Sequence, residues 1–253
     1  MAKIVSNKKN KLRADILLVN QGLTDSRSRA QALILGGKVF AGDRRVEKAG
    51  ETLSVNVELK IRGYDHPWVS RGGLKLDHAI NEFNLDVSGN VCLDIGASTG
   101  GFTDVLLTRG ASRVYAIDVG HGQLAWKLRN HERVIVLERT NARYLTLKEI
   151  PEQLDLIVCD ASFISLETIL PAALKLIKPE SKLLALIKPQ FEVGKGQVGK
   201  KGVVRDPALH QLVCDRIQTW INSLISWKVM GIIESPIKGP EGNIEFLILA
   251  NHG

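Results

Sequence analysis

The chain has 253 residues, 44% of them apolar, which is enough for one domain of ordinary size and a smaller second one. Its longest stretch without Asp, Glu, Lys or Arg, 217–227, is too short to cross a membrane, and its N-terminus lacks the apolar core of a secretory signal. We therefore expect a cytoplasmic protein. The three cysteines lie far apart and no CxxC or HExxH spacing occurs, which predicts reduced thiols and no metal site.

The net charge of +7 comes entirely from the first quarter of the chain. Residues 1–63 contain 13 Lys and Arg against 6 Asp and Glu, whereas the remaining residues contain 21 of each kind. A basic module joined to a neutral body is the pattern expected of a protein that binds a polyanion such as RNA. A solvated basic tail without a partner is the alternative.

The segment after the tail predicts a small α+β domain. RADILLVNQGLTDSRSRAQALILGG indicates two short helices that end near Gly22 and Gly36, and KVFAGDRRVEKAGETLSVNVELKI indicates short hairpin strands. This pattern resembles the RNA-binding domain first described in ribosomal protein S-four, and we expect its cations to meet RNA phosphates. The residues expected to bind RNA, with one from the following linker, are Arg13, Arg27, Arg29, Lys38, Arg44, Arg45, Lys48 and Arg71.

Glycines and a proline in RGYDHPWVSRGG predict a linker at 63–73, between residues 1–62 and a second domain at 74–253. There, apolar strands beginning with NVCLDIG alternate with amphipathic helices, one of them expected around 123–129. The alternation predicts an α/β, Rossmann-like domain with a mostly parallel seven-stranded sheet covered on both faces. Because only the short loop IKGPEGN separates the last two strands, we expect them to pair antiparallel.

LDIGASTGGFTD places glycines at a strand-to-helix turn, where nucleotide-binding folds approach their ligand. A P-loop would need Lys at Phe102, and a dinucleotide fingerprint would need glycine at Ser98, which makes a dehydrogenase a distant alternative. S-adenosylmethionine has no phosphate and needs neither feature. Asp118 would accept hydrogen bonds from its ribose and Asn141 would contact its adenine; turn chemistry without a ligand is the other interpretation. The expected cofactor-binding residues are Asp94, Gly96, Ala97, Ser98, Thr99, Gly100, Gly101, Phe102, Asp118, Asn141 and Asp160.

Two neighbouring strand ends, at Asp160 and Lys188, present an acid and a base to one cleft, with Lys75 at a helix start and Glu245 at the opening of the final strand. The order of these four residues, together with the motifs VSRGGLKL, DIGASTGGF, CDASFISL, IKPQFEVG and GVVRDP, resembles the TlyA family of ribosomal RNA methyltransferases. That family also carries a hemolysin name and is related to the FtsJ class. Where FtsJ relatives have Pro and then Gly-Gly-Trp, this chain has TGGF, which favours TlyA over FtsJ itself.

The resemblance implies methyl transfer from S-adenosylmethionine to a ribose 2′-hydroxyl of ribosomal RNA, on cytidine. A ribose hydroxyl is a weak acid, so its oxygen must lose its proton, or be aimed, as it attacks the methyl group in line. We assign Lys188 as the base or hydroxyl-positioning group; repulsion from Lys75 and partial desolvation would favour its neutral amine, while Asp160 and Glu245 orient the ammonium groups.

Two other functions remain open at this point, because fold alone does not fix function. One is a non-catalytic RNA-binding or ribosome assembly factor, and the other is membrane-lytic activity. The lysine-rich segment EVGKGQVGKKGVVRDP is either a loop that closes over RNA or a solvated loop. We expect ribosomal RNA or ribosomal subunits as partners, with no DNA and no membrane, and the oligomeric state has no signature in the sequence.

Overall fold

The computed structural model describes residues 11–24, 26–62 and 66–253. The basic tail at 1–10 and the first residues of the predicted linker, 63–65, lie outside this part of the chain. Contacts between Cα atoms divide the chain into two compact units, Met1–Pro67 and Trp68–Gly253. None of the described helices is both long enough and apolar enough to cross a bilayer.

The first unit has the predicted α+β composition. Strand β1 (Lys11–Arg13) pairs antiparallel with β4 (Thr52–Ser54), and β3 (Arg44–Arg45), β2 (Val39–Ala41) and β5 (Leu59–Ile61) form a second antiparallel sheet. The Oγ of Ser26 accepts a hydrogen bond from the backbone N–H of Arg29 and caps the second helix. That helix leads to a left-handed residue at Gly37, one position after the predicted Gly36. The helices of this unit are α1 (Ala14–Asn20) and α2 (Arg27–Leu35).

The second unit is built on a seven-stranded sheet, and its first helix begins at Gly72, within the predicted linker. Its helices are α3 (Gly72–Glu82), α4 (Gly101–Thr108), α5 (Trp126–Arg129), α6 (Leu166–Ala173), α7 (Pro189–Glu192) and α8 (Pro207–Ser223). Its strands are β6 (Val91–Ile95), β7 (Arg113–Asp118), β8 (Val134–Glu138), β9 (Leu154–Cys159), β10 (Ile177–Ile187), β11 (Trp227–Glu234) and β12 (Phe246–His252).

The strand order is β11-β12-β10-β9-β6-β7-β8, and β6 to β10 run parallel where they are neighbours. The last strand, β12, runs antiparallel to both β10 and β11 and lies between them. The predicted antiparallel pairing of the final two strands is therefore confirmed. The sheet as a whole confirms the Rossmann-like, mostly parallel architecture.

Both faces of the sheet are covered. On β9, Val158 packs into one apolar core with Leu76 of α3 and Leu106 of α4, whereas the next residue, Cys159, packs into a second core with Leu170 of α6. Consecutive strand residues point to opposite faces, so a strand buried on both sides must be apolar throughout. This explains the continuous apolar runs of the sequence.

The helix expected around 123–129 is shorter than predicted, because α5 begins only at Trp126. The backbone N–H of Gly120 donates a 2.7 Å hydrogen bond to the Asp118 carboxylate, and Gly122 has a φ of +69°. These contacts hold the preceding segment as a loop beside the end of β7.

Candidate active site

The carboxyl ends of β10, β9, β6 and β7 are neighbours, so the loops that follow these strands meet at one edge of the sheet. A wide cleft of about 650 Å³ opens there between the loops after β6, β7 and β9, and a narrow cleft of about 250 Å³ opens between the start of α3 and the loops after β6, β9 and β10. The two clefts share Gly96, Ser98, Asp160 and Ser162. A molecule in one cleft can therefore meet a molecule in the other.

The glycine loop after β6 is tightly packed against its neighbours. Gly96 and Gly100 have φ values of +82° and +96°, which side chains disfavour. A Cβ on Gly96 would lie 2.9 Å from Cα of Ala161, and one on Gly101 would lie 2.3 Å from Oγ of Ser70. Glycine at these positions lets the loop approach both the β9 loop and the start of α3.

Asp118 and Asn141, the residues predicted to contact ribose and adenine, both line the wide cleft. The Asp118 carboxylate accepts hydrogen bonds from the backbone N–H groups of Ser98 at 2.9 Å and Gly120 at 2.7 Å. Each carboxylate oxygen can accept more than one hydrogen bond, so Asp118 retains acceptor capacity towards the cleft. The Asn141 oxygen accepts from the backbone N–H of Arg143 at 3.1 Å.

Two residues predicted to touch the cofactor line neither cleft. Asp94 is fully buried, where it accepts a 2.6 Å hydrogen bond from the Thr103 hydroxyl, and burial raises its pKa to about 7. Gly100 faces Leu128, whose Cδ1 would be 2.3 Å from an added Cβ. Asp94 and Gly100 therefore face away from both clefts. The predicted cofactor residues that line only the narrow cleft are Ala97, Thr99, Gly101 and Phe102.

The four predicted catalytic residues come together on the wall of the narrow cleft. The Lys75 ammonium lies 2.6 Å from the Glu245 carboxylate and 3.6 Å from that of Asp160, whose other oxygen lies 2.6 Å from Nζ of Lys188. Both lysine side chains are 7% exposed and Glu245 is fully buried. The four groups form a row of alternating charge, Glu245, Lys75, Asp160 and Lys188, that sums to zero.

Lys188 is held by three acceptors. Beyond its ion pair with the Asp160 carboxylate, its Nζ donates to the Asp160 backbone oxygen at 3.0 Å and to the Ser162 hydroxyl at 2.9 Å. An ammonium group has three hydrogens, and these two hydrogen bonds use two of them. Sequence reasoning did not single out Ser162, although it lies within the quoted motif CDASFISL.

Gln190 is a second residue that the sequence analysis missed. Its side-chain amide donates a 3.2 Å hydrogen bond to the Glu245 carboxylate, and the side chain is buried. It lies two positions after Lys188, within IKPQFEVG, so the motif was visible while the direction of this side chain was not.

Some of the predicted RNA-binding arginines in the first unit form ion pairs. Arg13 donates two 3.0 Å hydrogen bonds to the buried Asp15, and Arg27 donates a third at 3.1 Å. The hydrogen bonds from Arg13 hold the pKa of Asp15 well below its usual range, against the opposing effect of burial. Arg44 lies 2.6 Å from Glu51.

The other cations of this predicted set have varied surroundings. Arg45 lies 3.5 Å from Glu47, and Lys38 is half-buried. Arg29 and Lys48 are exposed, without an ion pair to any described residue. Arg71, in the second unit, lines the narrow cleft and donates a 2.9 Å hydrogen bond to the Lys238 backbone oxygen.

Comparisons with known proteins cover nearly the whole chain. Residues 68–252 match the model of the FtsJ-like methyltransferase family, and residues 12–59 match that of the S4 domain. The chain is 48% identical over 241 residues to the 16S/23S rRNA (cytidine-2′-O)-methyltransferase TlyA of Mycobacterium tuberculosis, covering 93% of this chain and 88% of the relative.

A second relative is the 23S rRNA (cytidine-2′-O)-methyltransferase TlyA of Campylobacter jejuni, 37% identical over 247 residues, with 90% of this chain and 95% of the relative covered. A solved structure from Streptococcus thermophilus that carries a hemolysin name superposes with a TM-score of 0.74 at 42% identity, covering 96% of this chain and 89% of the other. These findings confirm the resemblance read from the motifs: the chain belongs to the TlyA family of ribosomal RNA methyltransferases, with an S4 domain followed by an FtsJ-like methyltransferase domain.

Proposed function

We propose that this chain transfers a methyl group from S-adenosylmethionine to the ribose 2′-hydroxyl of a cytidine in ribosomal RNA. The observation that carries the proposal is the row of Glu245, Lys75, Asp160 and Lys188 on the wall of a cleft that opens into the wide cleft. The names of the relatives from M. tuberculosis and C. jejuni support the choice of cytidine and of the 2′-oxygen. Ribosomal subunits as substrate would place the protein in the cytoplasm.

The residues of the wide cleft fit S-adenosylmethionine. Apolar side chains, among them Ile117 and Ile169, line a space of about 650 Å³ beside the Asp118 carboxylate. A flat adenine suits the apolar walls, and ribose hydroxyls suit a carboxylate with free acceptor capacity. Asp118 would therefore hold the ribose, Asn141 the adenine, and the loop from Gly96 to Ser98 the remainder of the molecule. When bound, this cofactor supplies an electrophilic methyl group on a sulfonium.

On the side of the narrow cleft, Lys188 is the residue that orients the attacking hydroxyl. Its two donated hydrogen bonds and its ion pair with the Asp160 carboxylate favour this role over that of a base, because an ammonium group donates hydrogen bonds and accepts none. A ribose oxygen that takes the place of the Ser162 hydroxyl would be held by Nζ at the point where the clefts meet. Asp160, Lys75 and Glu245 keep that ammonium in place, and the Asp160 carboxylate, which lines both clefts, accepts the hydroxyl proton as the oxygen takes the methyl group.

The test is methylation of ribosomal subunits that lack the modification, followed by mapping of ribose methyl groups by mass spectrometry of nuclease fragments. We expect a 2′-O-methylcytidine with the wild-type chain. Lys188→Met should lower turnover by about 10²-fold or more, the usual contribution of a group that assists such a transfer, while cofactor binding persists in a calorimetric titration. A methyl group on a base would contradict the proposal. Binding of cofactor and subunits without transfer would indicate a non-catalytic assembly factor instead.

A further inference from the structure

The short helix α7 binds one loop at both of its ends. The loop 160–165 connects β9 to α6 and carries residues of both clefts. Lys188, just before α7, donates to the backbone oxygen of Asp160 and the hydroxyl of Ser162. Glu192, the last residue of α7, accepts hydrogen bonds from the Ser165 hydroxyl at 2.8 Å and from the backbone N–H of Leu166 at 2.9 Å.

Phe191 adds a third contact between the same turn and the same loop. Its ring centroid lies 4.8 Å from that of Phe163, with the ring planes tilted by 47°. Lys188, Phe191 and Glu192 thus bind the beginning, the middle and the end of the loop, respectively. A displacement of α7 would move all three contacts together.

The burial of Glu192 carries a desolvation cost for its carboxylate. Glu192 is 7% exposed and packs beside the apolar core under α6 and α8, where burial raises its pKa. Its charge is compensated by Arg216 of α8, which donates at 2.6 Å to the carboxylate and at 3.0 Å to the Glu192 backbone oxygen. The Arg216 side chain is 40% exposed, and an ion pair with a half-exposed partner adds little net stability, so stability alone does not account for the buried carboxylate.

We propose that Glu192 is a positioning residue for methyl transfer, which together with Lys188 fixes the loop 160–165 at the junction of the two clefts. The proposal rests on the proposed function, since the loop matters for transfer only if Lys188 and Asp160 act on the substrate. Glu192 acts through Ser165 and Leu166, which fix the end of the loop opposite Asp160. It does not line either cleft.

The first experiment compares Glu192→Gln with Glu167→Gln in methylation assays on unmodified ribosomal subunits. The amide introduced by Glu192→Gln would turn a donor towards Ser165, Leu166 or Arg216, each of which already donates. Misplacement by about 1 Å can cost about 10²-fold in rate, so we expect turnover at saturating substrates to fall by about 10- to 100-fold. Glu167 also lies near Arg216, at 3.7 Å, but its carboxylate has no hydrogen bond to the loop in the described structure, so it should retain turnover within about twofold.

A second variant separates positioning from stability. Glu192→Gln combined with Arg216→Met removes both charges and should recover part of the melting temperature lost in the single variant, because the half-exposed guanidinium no longer faces an amide donor. Turnover should stay low, and the KM for ribosomal subunits should change little, since the first unit is untouched. Recovery of turnover along with stability, or wild-type turnover in Glu192→Gln, would overturn the positioning role. A wild-type chain without ribose methylation would instead overturn the proposed function.

Discussion

Lys75 donates a 2.6 Å hydrogen bond to Glu245, although 170 positions separate the two residues in the chain. The Lys75 side chain is 7% exposed and that of Glu245 is fully buried, so each charge depends on its partner for compensation. The pair joins the beginning of the methyltransferase domain to its last strand, and it sits at one end of the row of charges that leads to Lys188.

The dependence of these two charges on each other predicts a large cost for removing one of them. Lys75→Met should lower the free energy of unfolding by about 3–5 kcal/mol, because the Glu245 carboxylate is left buried without a cation. The double variant with Glu245→Gln should regain most of this in urea titrations. Lys178→Met, in the half-exposed pair with Asp155, serves as control and should cost about 1 kcal/mol or less. Equal instability of the single and double variants would refute the compensation.

Asp118 should affect cofactor affinity much more than turnover. Asp118→Asn removes the charge from the ribose acceptor but keeps its shape, and hydrogen bonds to charged groups contribute about 1.5–3 kcal/mol. We expect the dissociation constant for S-adenosylmethionine to rise by about 10- to 100-fold in calorimetry, with turnover at saturating cofactor near the wild-type value. Asp86→Asn, whose carboxylate accepts from Ser88 away from the clefts, is the matched control. Unchanged affinity in Asp118→Asn would exclude the ribose contact.

The buried carboxyl of Asp94 should make stability depend on pH. Burial raises its pKa in the folded protein to about 7, whereas the unfolded chain has the ordinary value of 3.8. The folded state therefore holds a proton that the unfolded state has lost. The stabilisation is complete below about pH 4 and is lost as the pH rises through about 7, by at most about 1.4 kcal/mol per pH unit.

Asp94→Asn keeps an oxygen for the Thr103 hydroxyl but cannot titrate. Urea titrations between about pH 4 and pH 8 should show the wild type losing stability relative to the variant as the pH rises, with parallel curves above about pH 8. Curves that run parallel over the whole range would mean that Asp94 is already ionised in the folded protein.

Salt dependence should separate the exposed cations of the S4 domain from the paired ones. Arg29 has no ion pair among the described residues, whereas Arg44 lies 2.6 Å from Glu51. If Arg29 contacts a phosphate, Arg29→Ala should lower the slope of log affinity against log salt by about 0.7–0.9. Fluorescence anisotropy with a ribosomal RNA fragment over a salt series measures this slope. Arg44→Ala should change it less, and an unchanged slope in Arg29→Ala would remove that residue from the RNA-binding surface.

The parallel sheet was predictable because a strand buried on both faces must be largely apolar, and the run 156–159 that ends β9 is of this kind. The position of β12 was not. The short loop before β12 requires that it pair with β11, but it leaves open which of the two strands pairs with β10. That choice depends on packing across the whole sheet and has no local signature.

The meeting of Asp160 and Lys188 was predictable for a related reason: side chains that follow neighbouring parallel strands lie at one edge of the sheet. Glu192 and Gln190 escaped notice because a single helical turn has no periodicity from which the direction of a side chain can be read. The contact of Asp94 with the cofactor stays a prediction. Alternation along β6 turns Asp94 into the interior, towards Thr103.

The insertion of β12 between β10 and β11 joins folding and catalysis in a single event. Until β12 docks, β10 presents an unpaired edge, the kind of surface on which strands from other chains can add. The same docking brings Glu245, the residue just before β12, to Lys75. A molecule with an open β10 edge therefore also lacks its assembled site. Molecules that can aggregate through β10 should thus be inactive ones.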